Sequence, residues 1–283
     1  MKLPRRSLLA FGVALPALGL LPQAVPAAAA LPTVDMEMVL KAAQWDPAKA
    51  DSAVTPGAGP SVKLVETALR ERGLLDPSYE DGHFGTRTVT AYAQWQRDLG
   101  YSGIDATGLP GRTSLTKLGA GQFTLTRVVT AGARTTHQGF PINERTLAML
   151  RAAQGRSGRT YVVEQGSYSP GTDPTSAGTH DGGGALDIDA EALTAAQRTA
   201  AVTALRQVGF AAWLRTPAQG DWPLHIHAVA ISDPDLSAPA QKQTGAYYEG
   251  RNGLAGNGAD DGPHVPKVTY EEYLRSLQHR SPS

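Results

Sequence analysis

The chain has 283 residues, enough for one large domain or two modest ones, each with its own core. Its 26 basic and 26 acidic residues cancel, so no basic face argues for a nucleic-acid partner. The absence of cysteine excludes a disulfide framework, a thiolate metal site and a cysteine nucleophile together, while 31 Gly and 20 Pro describe a loop-rich globular protein.

Residues 1–30, MKLPRRSLLAFGVALPALGLLPQAVPAAAA, read as a signal peptide with a basic start, an apolar stretch from Leu8 to Leu21 and small residues before Leu31. The apolar stretch is too short to span a bilayer, so no membrane attachment is expected after cleavage. Arg5-Arg6 gives the segment a twin-arginine look, although a general secretory signal also carries paired arginines. Cleavage near Ala30 removes Lys2, Arg5 and Arg6 and leaves a mildly acidic protein that works outside the cytoplasm.

Residues 31–60 are expected to hold one short helix within 33–50, then a Pro/Gly-punctuated linker at 52–60. A compact unit begins at Ser61. Val62, Val65, Ala68 and Leu69 recur at helical spacing and stop at Gly73. Thr86 or Thr88 is placed to cap a second helix, TVTAYAQWQRDLG, whose stripe is Val89, Tyr92, Trp95 (or Gln96) and Leu99. A second Gly-rich turn starts a last short helix, closing a three-helix module near Gly119.

Residues 61–119 resemble the peptidoglycan-binding domain found at the ends of many wall hydrolases. The resemblance rests on Asp81-Gly82, Phe84-Gly85, Thr88, Trp95-Gln96, Gly108, Gly111, Thr113 and Leu118 in the same order and spacing. It implies peptidoglycan as a partner.

The remainder, 126–283, alternates differently. INERTLAMLRAAQ (142–154) and EALTAAQRTAAVTALRQVG are helical, whereas TYVVEQGSYS, GALDIDA, FAAWLR and LHIHAVAI read as strands. Without regular strand–helix–strand alternation this is an α+β domain. In GALDIDA, Ala185, Asp187 and Asp189 share one face. Ser237 is placed to cap a helix through APAQKQTGAYYEG. Asp260, Asp261 and His264 are read as a solvated loop in preference to a second metal site, and TYEEYLRSLQHR is expected to pack Tyr270, Tyr273, Leu274 and Leu277 as a terminal helix.

The chemistry concentrates in two stretches. THDGGGALDID places His180 seven residues before Asp187 across three glycines, and LHIHAVAI puts His225 and His227 on one strand face. A catalytic zinc takes three such ligands and keeps a position open for water. Glycines let the chain turn sharply enough for His180 and Asp187 to face one ion.

The combination resembles the zinc D-alanyl-D-alanine carboxypeptidases and related wall endopeptidases, which share their metal site with the Hedgehog signalling domain. Their Ser-x-His-x2-Gly-x-Ala-x-Asp signature is met by His180, Gly183, Ala185 and Asp187, with Gly178 at the serine position; their His-x-His is His225-Ile226-His227. The resemblance implies zinc held by His180, Asp187 and His227, with His225 beside them as either a catalytic histidine or one that supports a ligand. Asp189 is the rival for Asp187 but falls outside the pattern.

Two departures stand out. Many relatives carry an acidic general base three residues before the last zinc histidine, where this chain has Leu224; Asp221 is the nearest candidate to reach in. Relatives also tend to carry an arginine in the strand before the glycine loop, where this chain has GSYSPG. Either Arg215 or another arginine serves in its place, or the substrate has no free C-terminus.

The expected protein is a secreted, monomeric zinc peptidase of the cell wall, a carboxypeptidase or endopeptidase acting on peptidoglycan stem peptides. The alternative is a non-catalytic wall-binding protein whose peptidase-like domain holds zinc.

Overall fold

The computed structural model describes residues 30–50 and 53–279, so the expected export signal lies outside the described residues. Strand β1 (Thr33–Asp35) runs directly into helix α1 (Met36–Trp45), where the Asp35 carboxylate caps the helix by accepting the Met38 N–H. Met36, Val39, Leu40 and Ala43 form a buried stripe at helical spacing. The stretch expected as a linker is pinned from both sides. Thr55 donates through its N–H and its hydroxyl to Asp46 Oδ1, at 2.9 and 2.5 Å, and α2 (Gly59–Glu71) starts two residues before Ser61 with Pro60 in its first turn.

The three-helix module is present as α2, α3 (Thr86–Asp98) and α4 (Arg112–Leu118). The capping expectation at α3 needs correction, because Gly85 occupies the cap position with no side-chain bond and Thr86 is already helical. Thr88 is committed elsewhere. Its hydroxyl donates to Glu66, whose carboxyl also accepts the Gly82 N–H and is pushed up to about 8 by burial. After α4, β2 (Thr124–Thr126) returns to pair in parallel with β1, Thr33 opposite Thr124.

Strands β3 (Arg134–His137) and β4 (Phe140–Asn143) form a hairpin that feeds α5 (Glu144–Ser157), capped by Asn143. Then come β5 (Val163–Gln165), β6 (Ala185–Asp189), α6 (Ala195–Gln207), β7 (Phe210–Arg215) and β8 (His225–Ala230). The last four strands make an antiparallel sheet in the order β5-β6-β8-β7. Mixed helices and small sheets give the α+β class expected.

Strand alternation divides this sheet into two chemically distinct faces. Leu186, Ile188, Phe210, Ala212, Ile226 and Ala228 point to one side and pack with residues of α5 and α6 in a closed apolar core. Ala211, Trp213 and Val229 point to the other and share a core with α1, α2, α3 and α4. From Leu31 onward the chain is one compact unit. The helical module and the sheet are therefore not separated by a free linker.

Helix α7 (Ala238–Tyr248) crosses this second face, capped by Ser237 as expected, with Tyr248 stacked on Trp45 at 4.2 Å. Helix α8 (Tyr270–Gln278) departs from expectation: Leu274 and Leu277 are 41% and 40% exposed. Tyr270 and Tyr273 do lean on the core. What holds α8 is charge, through Arg145–Glu271, Lys41–Glu272 and Arg275–Glu37.

Candidate metal centre

The second face of the sheet carries the site in two rows set by strand register. Asp187 on β6 stands opposite His227 on β8, which stands opposite Trp213 on β7; one step along, Asp189, His225 and Arg215 form the next row. His180 arrives from the glycine loop that precedes β6. Ligand atoms of His180, Asp187 and His227 all lie within 4.8 Å of one another, so these three can hold a metal ion. Asp189 does not join them. Its Oδ1 accepts the Glu191 N–H at 2.7 Å.

The loop that presents His180 is held rigidly. Tyr168 N–H donates to Gly182 O, Ser169 N–H to His180 O, Gly183 N–H to Asp235 O and Ala230 N–H to Gly184 O, all within 3.0 Å. These bonds bring the loop so close to residues 233–237 that side chains have no room. A Cβ on Gly182 would stand 2.3 Å from the Asp235 carbonyl oxygen, and Gly184 sits at φ +82° against Leu236 and Asp233. The glycines serve close approach more than freedom of movement. Gly182→Ala is accordingly expected to cost about 1–3 kcal/mol, measured by urea unfolding, and to weaken metal retention because His180 moves with the loop.

Hydrogen bonds define which nitrogen each histidine offers. His180 Nδ1 is 2.8 Å from the Gly166 carbonyl and His225 Nδ1 is 2.9 Å from the Pro223 carbonyl. His227 Nε2 is 2.7 Å from Gln243 Oε1. Each of these oxygens only accepts, so the nitrogen facing it carries a hydrogen, and the opposite nitrogen of each ring is the one that faces the site. Those opposite nitrogens turn inward: His180 Nε2 is 3.3 Å from Asp187 Oδ2, His227 Nδ1 is hydrogen-bonded to Oδ1 at 2.7 Å, and His225 Nε2 is 3.8 Å from Oδ1. His180 Nε2 is buried with no hydrogen-bond partner. Two imidazole nitrogens converging on a carboxylate are a donor set for a cation.

Burial alone would push the Asp187 carboxyl up, but His180 and His227 outweigh it and hold the group well below the usual carboxylate range. Burial likewise opposes a charge on His180, yet Asp187 and the Gly166 carbonyl raise it; on His227 burial wins and the imidazole is lowered.

The centre opens into a cavity of ≈ 640 Å³. His225 lines it, as does Asp221, which is exposed at this wall. Leu224 packs on the opposite, apolar side of the sheet, so no carboxylate occupies that position. A carboxylate absent from the sequence reading lies nearby. An irregularity in the β5–β6 register between Val163 and Gln165 lets both Glu164 and Gln165 line the cavity. Burial, with Asp189 adding to it, raises the Glu164 carboxyl. Gln243 on α7 is the other functional residue the sequence did not signal, since nothing local links it to His227. Asp260, part of the loop read as solvated, is paired with the buried Arg206 at 2.8 Å.

Three buried N–H donors lining the same cavity have no acceptor: Gln165 Nε2, Arg215 Nη2 and Trp222 Nε1. Comparison of the chain with protein-family models, curated proteins and solved structures found no match.

Proposed function

We propose that the protein is a secreted zinc peptidase that hydrolyses peptide bonds in the stem peptides of peptidoglycan. The observation that carries this reading is the convergence of two histidine nitrogens and the Asp187 carboxylate beside an open cavity. Two neutral imidazoles and one carboxylate suit zinc, and three protein ligands leave a position free. When bound, zinc supplies a Lewis acid that polarises a carbonyl and lowers the pKa of water from about 15.7 towards 7.

The chain's own residues supply the rest. His225 offers a bare Nε2 to the cavity while its Nδ1–H stays on the Pro223 carbonyl. It can take a proton at Nε2 and return it to a leaving amine without losing its orientation. Asp221 and Glu164 are the carboxylates available to assist, in place of the one missing at Leu224. The unpaired donors of Gln165, Arg215 and Trp222 match a substrate rich in carbonyl and carboxylate oxygens, because a buried donor without a partner costs about 1–3 kcal/mol until a ligand satisfies it. The three-helix module, by its resemblance to peptidoglycan-binding domains, would hold the peptidase near a polymeric substrate and raise its effective concentration.

The non-catalytic alternative is favoured by one observation, Leu224 in the place of a base. Incubation of the zinc-loaded protein with purified peptidoglycan decides between them. Peptides released to the supernatant, identified by mass spectrometry and abolished by a chelator, are the expected result. A protein that binds zinc and sediments with the wall but releases nothing is the wall-binding alternative.

A further inference from the structure

A second cavity, of ≈ 360 Å³, lies at the seam between the three-helix module and the sheet-bearing half, and shares no lining residue with the metal centre. Its size falls within the roughly 300–1,000 Å³ of small-ligand sites. Tyr101, Asp105 and Arg112 line it from the module; Arg134, Tyr168 and Asp235 line it from the other half. The two walls are held together. They share one apolar core, and Gln241 of α7 donates to the Thr107 hydroxyl at 3.0 Å and the Leu236 carbonyl at 2.9 Å.

Charges of both signs stand unpaired in this cavity. Among the described residues, arginine ion pairs engage Arg70, Arg127, Arg145, Arg206 and Arg275. Arg112, Arg134 and Asp105 join none, although all three are exposed at one cavity. Asp235 differs, because its Oδ2 accepts the Tyr168 hydroxyl at 2.6 Å. That bond, with the Tyr168 N–H on Gly182 O, fixes Tyr168 at φ +56°. The Arg134 guanidinium lies over the fixed ring, 3.9 Å from its centre. It is thus positioned before any ligand arrives, which lowers the ordering cost of binding.

Guanidinium groups pair with carboxylates or with phosphates. Asp105 and Asp235 stand in the same cavity and oppose a phosphate polymer, which carries negative charge alone. A ligand with both free carboxylates and a free amine satisfies both signs. We infer that the seam cavity is a second binding site, taking a peptide segment whose carboxylates pair with Arg112 and Arg134 and whose amine pairs with Asp105. The site is built from both halves of the chain, so the helical module alone lacks half of it. This inference rests on the reading that stem peptides are the ligand of the protein.

The test uses full-length protein freed of metal with a chelator, so that no peptide is cleaved while binding is read by calorimetry. The probe is an N-acetylated stem tetrapeptide with free carboxylates and one side-chain amine; its companion has that amine acetylated. Arg112→Gln and Arg134→Gln should each weaken probe binding about tenfold. Asp105→Asn should weaken binding of the probe but not of the companion. All three variants should keep the wild-type melting temperature and zinc content, since none of these side chains is in an ion pair or in the metal centre. Undiminished probe binding in either arginine variant overturns the inference, as does equal loss of probe and companion in Asp105→Asn. A wild type that binds a phosphate-bearing wall polymer but not the probe overturns it too. Hydrolysis is measured apart, on zinc-loaded protein. If the probe binds through these residues and no stem peptide is cleaved, the peptidase reading fails and the second site stands; if peptide is cleaved but the arginine variants bind as wild type, the reverse holds.

Discussion

Zinc content should fall from about one ion per chain to near zero in His180→Ala, Asp187→Ala and His227→Ala, measured by atomic emission after dialysis. The effect is large because each of the three contributes an inward-facing ligand atom, and no other described His, Cys, Asp or Glu joins their cluster. Two remaining ligands cannot hold zinc tightly against water. Asp189→Ala is the informative companion. Its side chain shares the Asp187 face but is occupied with the Glu191 N–H, so zinc should stay at wild-type stoichiometry. Full occupancy in His180→Ala would sink the assignment of the centre.

The second large effect separates chemistry from metal binding on one strand. His225 and His227 are two residues apart on β8 and face the same way, yet His227 Nδ1 is 2.7 Å from Asp187 and His225 Nε2 is 3.8 Å away. His225→Ala is expected to keep its zinc and its fold while losing about 10²–10⁴-fold in stem-peptide hydrolysis, the usual contribution of a positioned proton-transfer group. His227→Ala should lose metal and activity together. If His225→Ala releases the zinc while His227→Ala retains it, the two roles are exchanged.

The residues of the candidate metal centre were legible in the sequence because their geometry is local. A two-residue step on a strand puts His225 and His227 on one face whatever surrounds them, and the same alternation aligns Asp187 with Asp189. Choosing Asp187 over Asp189 needed the spacing of the resembled signature, and the structure places Asp187, not Asp189, beside both histidines. Helices with a strong apolar stripe, such as α2 and α3, were legible for the same reason.

What escaped depends on pairings across long separations. Thr33 and Thr124 make one strand pair, and no periodicity in 31–60 announces it. Thr88 looked like a cap because a threonine at a helix start usually is one; a buried glutamate 22 residues earlier claimed its hydroxyl. Leu274 and Leu277 looked like core because they are apolar on a helix, but ion pairs anchor α8 and leave that stripe half in solvent. Glu164 reaches the cavity only through an irregularity in strand register, which periodicity assumes away.

The clasp between the two ends of the fold has a consequence for how the protein is made. Glu37, 1% exposed on α1, receives both terminal nitrogens of Arg275 on α8, 238 residues further along, and Lys41 on the same helix reaches Glu272. Gln44 meanwhile accepts the Ser232 N–H. Helix α1 leaves the ribosome first and therefore waits for α8 to emerge before its buried carboxylate has this counter-charge. Contacts of such long range form slowly, and a nascent chain stalled short of α8 holds α1 with its acid unanswered. Synthesis has to reach α8 before α1 can settle.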